Sequence, residues 1–440
     1  VSTEPHDLAG AHVERLYDSD PEREWERLGR HRTEFAVTMR ALRDYLPPPP
    51  ARVLDCGGGP GRYAIELTRL GYKVTLLDLS LESLRLAQEQ AAEEGVEIAA
   101  YAHGTATDLS RYAGGAFDAV LLMGPFYHLL EASSRRRALE EAQRVLTPGG
   151  VLFAAFITRY APIRYYAVHD PTQLIVDPHE FRQLLRDGIA LPQGEAGLTF
   201  VAYFARPQDV RPLLHETGYE VQAVFGVEGV VSMIEGAVSQ LQGEAWERWV
   251  DLNYEVADDT TLHGCVEHLL AIAVRPRWRA VLRQLVHRLD EAKIEYKVVG
   301  GAAAALRGVP VLLEDIDLEM GAEGAYRFGE LHAAHAVLPV SYREGDTYRS
   351  HFGRFRFDGV VVEVMGDLER RTDDGWVPSA ARTETTVDLE GVPVRTSWLE
   401  EEALAYIRRN RLDRAAQCLP LCDHERLLAL LRGEQRTDVI

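Results

Sequence analysis

Between residues 53 and 63 the chain reads VLDCGGGPGRY: an apolar run, an acid, then four glycines within five positions. RVLDC has the pattern of a buried strand, and RYAIELTRLG, ending at Gly71, that of a helix. Glycines between a strand and a helix permit positive φ and let a ligand approach the backbone with no Cβ in the way. Such a loop commits the chain to a strand–loop–helix unit. That unit cannot cover its strand alone and needs neighbours in a parallel sheet.

The following residues supply those neighbours. KVTLLDL is a second strand, 81–94 a helix, VEIAAYAHG a third strand and AFDAVLLMG a fourth. A helix over 135–146, a Thr147-Pro148-Gly149-Gly150 turn and the strand VLFAAFI follow. Alternation of this kind predicts βαβ units, with ligands bound beyond the carboxyl ends of the strands. Upstream, 11–45 reads as one helix, stopped by the prolines at 47–50. After Ile157 the rhythm is lost, and Tyr, His and Pro cluster over 159–205, predicting a lid or substrate-facing insertion. It returns with RPQDVRPLLHETG, YEVQAVFGV and EHLLAIAVRP. The expected organisation is a helical cap at 1–50, an α/β domain at 51–276 and a smaller α+β domain at 277–440.

At 440 residues, two domains are the natural expectation. The formal charge of −20 repels a phosphate backbone and disfavours nucleic acid as a partner. Cys56, Cys265, Cys418 and Cys422 form no CxxC pair, which fits a reducing cytoplasm. No apolar run approaches a membrane span, and the opening VSTEPHDLAG lacks the apolar core of a secretory signal. The expected location is cytoplasmic. An oligomer is compatible with the sequence, which does not fix the state.

Asp78 closes the second strand, where a carboxylate can accept both ribose hydroxyls of a nucleoside. A dinucleotide reading competes, because Gly59-Pro60-Gly61-Arg62-Tyr63-Ala64 satisfies G-x-G-x-x-A. Its register is wrong: the first glycine after the strand is Gly57, which opens no such match. Asp55 at the strand end also suits a cationic ligand better than a pyrophosphate.

D-x-G-x-G-x-G after the first strand and LLDLS after the second resemble a class I S-adenosylmethionine-dependent methyltransferase. So do Gly104-Thr105-Ala106-Thr107-Asp108-Leu109, FDAVLLMGPFYHL and RVLTPGGVLFAAF, in that order. The resemblance covers roughly 12–276 and implies a Rossmann-like sheet that binds S-adenosylmethionine. It implies Asp55, Gly57 and Gly59 on the methionine side, and Asp78 with the neighbouring Leu79 at the ribose. Asp108 and Leu109 would flank the adenine, Met123 and Gly124 would lie beneath the donor, and Tyr17 and Trp25 would cap it. Gly124-Pro125-Phe126-Tyr127-His128 is neither an N/D-P-P-Y loop nor a Pro-Cys pair. With the acidic charge, this points to a small-molecule acceptor. His128 and Tyr127 are the nearest candidates for a general base or substrate contact. In the insertion, Tyr160, Tyr165, Tyr166, His169 and His179 are candidates for an acceptor pocket.

In the second domain, Val299-Gly300-Gly301 precedes Asp315-Ile316-Asp317, and Val362-Glu363-Val364 follows. A strand DxD puts both carboxylates on one face, where they can hold a divalent metal that bridges a triphosphate. Glu363 would be the third ligand. The pattern resembles the minimal nucleotidyltransferase fold over about 290–420, and in layout the aminoglycoside and lincosamide nucleotidyltransferases. The resemblance implies Mg2+ with a nucleoside triphosphate. One departure is Val311-Leu312-Leu313-Glu314, where many relatives carry an Arg-x-Thr-like stretch, and Glu314 adds repulsion. Three readings follow: methyl transfer to a small molecule, nucleotidyl transfer to a small hydroxylated, antibiotic-like substrate, or a non-enzymatic sensor or scaffold that binds S-adenosylmethionine.

Overall fold

The computed structural model describes residues 5–176, 178–190, 200–311, 313, 315–379, 381 and 383–432. The stretch expected as one helix is three: α1 (Pro5–Ser19), α2 (Pro21–Arg30) and α3 (Arg32–Tyr45). The first break is local. Pro21 begins α2, and Asp20 caps it by accepting a hydrogen bond from Arg23 N at 3.1 Å. The second falls at His31, whose φ of −102° and ψ of 61° are not helical.

The chain divides into two units, Val1–Arg275 and Pro276–Ile440. The strands of the first are β1 (Arg52–Cys56), β2 (Lys73–Asp78), β3 (Ala100–His103), β4 (Phe117–Leu122), β5 (Leu146–Thr158), β6 (Ile189–Ala190), β7 (Ala202–Ala205), β8 (Glu220–Gly226) and β9 (His268–Val274). β3, β2, β1, β4 and β5 lie side by side and parallel. The sheet is not wholly parallel: β9 runs antiparallel between β5 and β8. Nor is 147–150 a separate turn. The β4–β5 register slips there, making a bulge inside β5 with Gly149 at φ +82°.

Helices cover both faces, which is why β1 is apolar at consecutive positions. Val53 joins Val37, Leu42, Ile65 and Leu76 on the face under α3, α4 (Arg62–Arg69) and α5 (Leu81–Glu93). Leu54 points the other way, to Leu139, Phe156 and Leu214. Each such side chain contributes about 1.5–3 kcal/mol by burial. The sheet and loop of the methyltransferase pattern are therefore held rigidly from both sides. In the insertion, short helices at Ala161–His169, Gln173–Val176 and Pro178–Asp187 lead into the β6–β7 pair. Residues 191–199 of the insertion lie outside the described residues.

The second unit opens with the helix Arg277–Glu291. Its strands are β10 (Lys297–Val299), β11 (Asp315–Met320), β12 (Ala336–Glu344), β13 (Tyr348–Phe357), β14 (Val360–Thr372), β15 (Gly375–Pro378), β16 (Thr385–Leu389) and β17 (Val392–Thr396). The sheet order is β12-β13-β14-β11-β10-β17-β16, with β15 on β14. Leu282, Val286, Ile316, Phe328, Phe355 and Val362 form its core. Among the described residues, no helix is long and apolar enough to cross a membrane.

Candidate active sites

The glycine loop is shaped by close approach. Gly57 sits at φ +72°, and a Cβ there would lie 2.3 Å from Cδ of Pro125. Gly59, at φ +54°, donates its N–H to Asp78 Oδ2 at 2.7 Å, and Ser80 N donates to Oδ1 at 2.8 Å. One carboxylate thus ties the loop after β1 to the end of β2. The loop floors a cavity of about 1020 Å³, also lined by Tyr17, Asp55, Asp78, Leu79, Met123, Gly124, Tyr127 and His128. Burial pushes the Asp55 carboxyl up to about 7, and the neighbouring Asp78 adds to it. Burial likewise raises Asp78 to about 6, against the pull of the Ser80, Gly59 and Leu79 amides. Asp55 Oδ2 is buried with no hydrogen-bond partner. Two crowded acids over a glycine floor fit a ligand that brings positive charge and hydroxyl donors, as S-adenosylmethionine does.

Three expectations are corrected. Trp25 is not at the cavity; its ring stacks under the Arg62 guanidinium at 4.5 Å. Asp108 is exposed and accepts the Ser110 N–H at 3.0 Å, while Leu109 packs into the core beside Ala106 and Phe117. Thr105, Ala106 and Thr107 line the cavity in their place. The aromatics of the insertion do not line it either. Tyr160 and Tyr165 are exposed, Tyr165 packs on His169, and Tyr166 packs on Phe181.

His128 is buried and has both ring nitrogens engaged. Nδ1 lies 2.6 Å from the Val201 carbonyl and Nε2 lies 2.7 Å from the Tyr17 hydroxyl. A carbonyl only accepts, so Nδ1 carries the proton and Tyr17 donates to Nε2. Burial drives the imidazole down to about 4. His128 therefore joins α1 to the start of β7 as a neutral hydrogen-bonding post. Burial also raises the Tyr127 phenol well above its ordinary range.

A second polar group at the same cavity was not foreseen. Arg27 grips Glu34 through two hydrogen bonds of 2.8 and 3.2 Å and bonds Glu24 at 2.8 Å. His268 Nδ1 meets Glu228 Oε1 at 2.6 Å and stands 3.9 Å from Glu34. Burial opposes ionisation of Glu34, yet Arg27 and His268 overcome it and hold its carboxyl down to about 2. Burial also opposes the His268 cation, but Glu34 and Glu228 prevail and hold the ring up to about 9. These residues come from α2, α3, the end of β8 and the start of β9. No motif joins them in sequence.

In the second unit β11 and β14 are parallel, with Asp317 directly opposite Glu363. Alternation puts Asp315 on the same face, and the carboxylate oxygens of Asp315, Asp317 and Glu363 lie within 4.8 Å of one another. Burial first, then Asp315 and Glu363, raise Asp317 to about 8. Arg354 on β13 donates to Glu363 at 2.8 Å. At Gly300, φ +65°, a Cβ would meet Asp317 at 2.6 Å. Three close carboxylates, with Asp317 holding its proton more tightly, are a donor set that suits a divalent cation. The cavity over them, about 430 Å³, is also lined by Arg408, Arg409, Arg411 and Arg414. These flank the turn at Asn410, φ +56°, between the helices Leu399–Arg408 and Leu412–Cys418. The missing cations are thus supplied from the far end of the domain. The run RRNRLDR in an acidic chain was the available signal. Leu312 and Glu314, expected to weaken the site, lie outside the described residues.

The methyltransferase domain family matches residues 53–150, and the aminoglycoside-2''-adenylyltransferase family matches 281–415. A ubiquinone biosynthesis O-methyltransferase of Xanthomonas axonopodis pv. citri is 34% identical over 154 residues, 35% of this chain and 60% of that protein. The chain thus spans less than two thirds of that relative's length. A solved S-adenosylmethionine-dependent methyltransferase of Methanosarcina mazei is 20% identical, covering 54% of this chain and 97% of that one with a TM-score of 0.39. A Thermotoga maritima structure solved as a candidate nucleotidyltransferase is 31% identical, covering 36% and 95% with a TM-score of 0.30. The chain therefore carries a class I S-adenosylmethionine-dependent methyltransferase domain, followed by a nucleotidyltransferase-like domain.

Proposed function

We propose that the first unit transfers a methyl group from S-adenosylmethionine to a small molecule. The observation that carries this is the acid pair: Asp78 bound to the Gly59 amide, and Asp55 with a buried oxygen left without a partner. Asp55, Gly57 and Gly59 would hold the methionine part, Asp78 and Leu79 the ribose, Thr105 to Thr107 the adenine, and Met123 and Gly124 the floor. The donor supplies a methyl group on a cationic sulfur. The protein's part is to position and desolvate the acceptor and to take a proton from it. About 1020 Å³ is at the upper end of small-ligand sites and leaves room for a second small molecule. The curated relatives act in ubiquinone biosynthesis as O-methyltransferases, which supports an oxygen acceptor here. A cytoplasmic location belongs to the same reading, supported by four free cysteines. Calorimetry with S-adenosylmethionine tests it: no binding, or binding unchanged by Asp78→Ala, would sink it. Tight binding with no acceptor in a broad metabolite screen would favour a sensor.

A second reading applies to the second unit: nucleotidyl transfer to a small hydroxylated substrate. The acid triad beside the arginine turn favours it. Asp315, Asp317 and Glu363 would hold Mg2+, and the arginines would face the triphosphate. Calorimetry with ATP and Mg2+ is expected to show binding that Asp315→Ala abolishes. Binding that ignores Mg2+ would count against it.

A further inference from the structure

We propose that Glu402 is a positioning residue for metal capture in the second unit: it holds the Gly300 backbone so that the Asp317 carboxylate keeps its place beside Asp315 and Glu363. This rests on the nucleotidyl-transfer reading above and names what sets the geometry of its metal site.

Glu402 lies in the first turn of the helix Leu399–Arg408 and is 5% exposed. Its Oε2 accepts the Gly300 N–H at 2.9 Å, and its Oε1 accepts the Ser397 hydroxyl at 2.5 Å. Ser397 is buried just after β17, and its own N–H donates to the Val298 carbonyl on β10 at 3.2 Å. The carboxylate therefore closes a ring that joins the ends of β10 and β17 to the helix. Gly300 opens the short helix Gly300–Ala305, so its N–H has no acceptor within that helix. A buried N–H left without an acceptor destabilises the fold, and Glu402 is what satisfies this one. An apolar side chain at 402 would be easier to bury, so the acid answers a demand of the backbone.

The turn matters because Asp317 rests on it. β10 and β11 are antiparallel with Val299 opposite Asp317, so the chain leaving β10 turns beside that carboxylate. Gly300 sits at φ +65°, and a Cβ there would lie 2.6 Å from Asp317 Oδ2. The bare side of Gly300 is therefore the surface against which the carboxylate leans. Rotating the Gly300 peptide would remove that surface and let Asp317 swing from Asp315 and Glu363, whose oxygens lie within 4.8 Å of its own. Glu402 opposes the rotation by fixing the peptide N–H. It does so without joining the metal ligands, because its two oxygens are engaged by Gly300 and Ser397. The same helix ends at Arg408, with Arg409 next, and both line the cavity with Glu402. From Glu402 to Arg408 the helix rises about 9 Å. One rigid element thus sets the glycine turn under the acids and the arginines across from them.

The test uses the full chain with Mn2+ as the probe, free Mn2+ being counted by electron paramagnetic resonance. The unaltered chain is expected to bind Mn2+ at a site that Asp315→Ala removes. No binding, or binding that survives Asp315→Ala, would overturn the metal reading of the triad itself. With that site present, Glu402→Ala should weaken it about 10–100-fold. Glu402→Gln should recover most of the affinity. Its amide oxygen accepts the Gly300 N–H, and its NH2 donates to the Ser397 hydroxyl, which turns to accept. Unchanged Mn2+ affinity in a folded Glu402→Ala chain overturns the positioning role and leaves the metal reading intact. A Gln variant as weak as the Ala variant also overturns it, because the charge at 402 would then matter and the grip on Gly300 would not. Circular dichroism checks that each variant folds. Where Glu402→Ala does not, Ser397→Ala decides: it frees one carboxylate oxygen, and Mn2+ affinity should fall about 3-fold. An affinity unmoved by Ser397→Ala overturns the proposal.

Discussion

The two cavities crowd carboxylates in different ways. In the first unit, Asp55 and Asp78 come from two strand ends, and Asp78 is answered by the backbone amides of Gly59 and Ser80. In the second, Asp315, Asp317 and Glu363 project from adjacent strands in register, and the Arg354 side chain donates to Glu363. Amides and an ordered loop leave an opening for a shaped organic cation with hydroxyls. Close carboxylates on one flat face leave an opening for a compact divalent ion. The geometry of the acids, more than their number, separates the proposed donor site from the proposed metal site.

The largest effect is expected from Gly57→Val, which asks a β-branched residue to adopt φ +72° with its Cβ 2.3 Å from Pro125. Donor binding should be lost and the first unit destabilised by roughly 2–5 kcal/mol, read by calorimetry and thermal unfolding. Triphosphate binding by the second unit should be untouched. Asp315→Ala is the mirror experiment. Mg2+-dependent ATP affinity should fall about 100-fold, with S-adenosylmethionine affinity unchanged. Asp78→Ala removes two charge-assisted hydrogen bonds and should weaken donor binding roughly 10–100-fold. Any Mg2+ dependence of donor binding would erase the contrast between the sites.

The pH response sharpens it. Asp55, Asp78 and Asp317 have folded values raised from 3.8 to about 7, 6 and 8. A raised carboxyl binds its proton more tightly when folded. Its stability is therefore full below about pH 4 and is lost as pH rises through the folded value. Thermal unfolding of the ligand-free chain should fall by a few degrees between about pH 5 and 8. Ligands should remove that slope separately, S-adenosylmethionine for the first unit and Mg2+ for the second. The smallest effect belongs to Tyr17→Phe, which deletes the hydroxyl at His128 and should cost about 1 kcal/mol, a few-fold in donor affinity.

The legible parts of both sites are local. Asp55, Gly57 and Gly59 share one loop, and strand alternation alone puts Asp315 and Asp317 on one face. Asp108 shows where motif position misleads: a carboxylate beside Ser110 satisfies the nearest backbone N–H and turns from the cavity. Trp25 sits one helical residue from Glu24, which does line the cavity, so a small rotation decided against it. The break at Asp20-Pro21 was present in the letters as a cap followed by proline.

The sequence by itself determined the two domain types, the glycine loop, the place of Asp78 at a strand end and the shared face of Asp315 and Asp317. Each depends on backbone rules that act within one strand, one turn or one strand–helix step. Only the tertiary structure decided that Glu228 and Glu34 would close on His268, that Arg27 would balance them, and that Arg408 to Arg414 would face the acids of β11 and β14. Those groups meet because core burial drives distant elements together. Their charges then shift one another across a few ångströms, which separation along the chain does not encode.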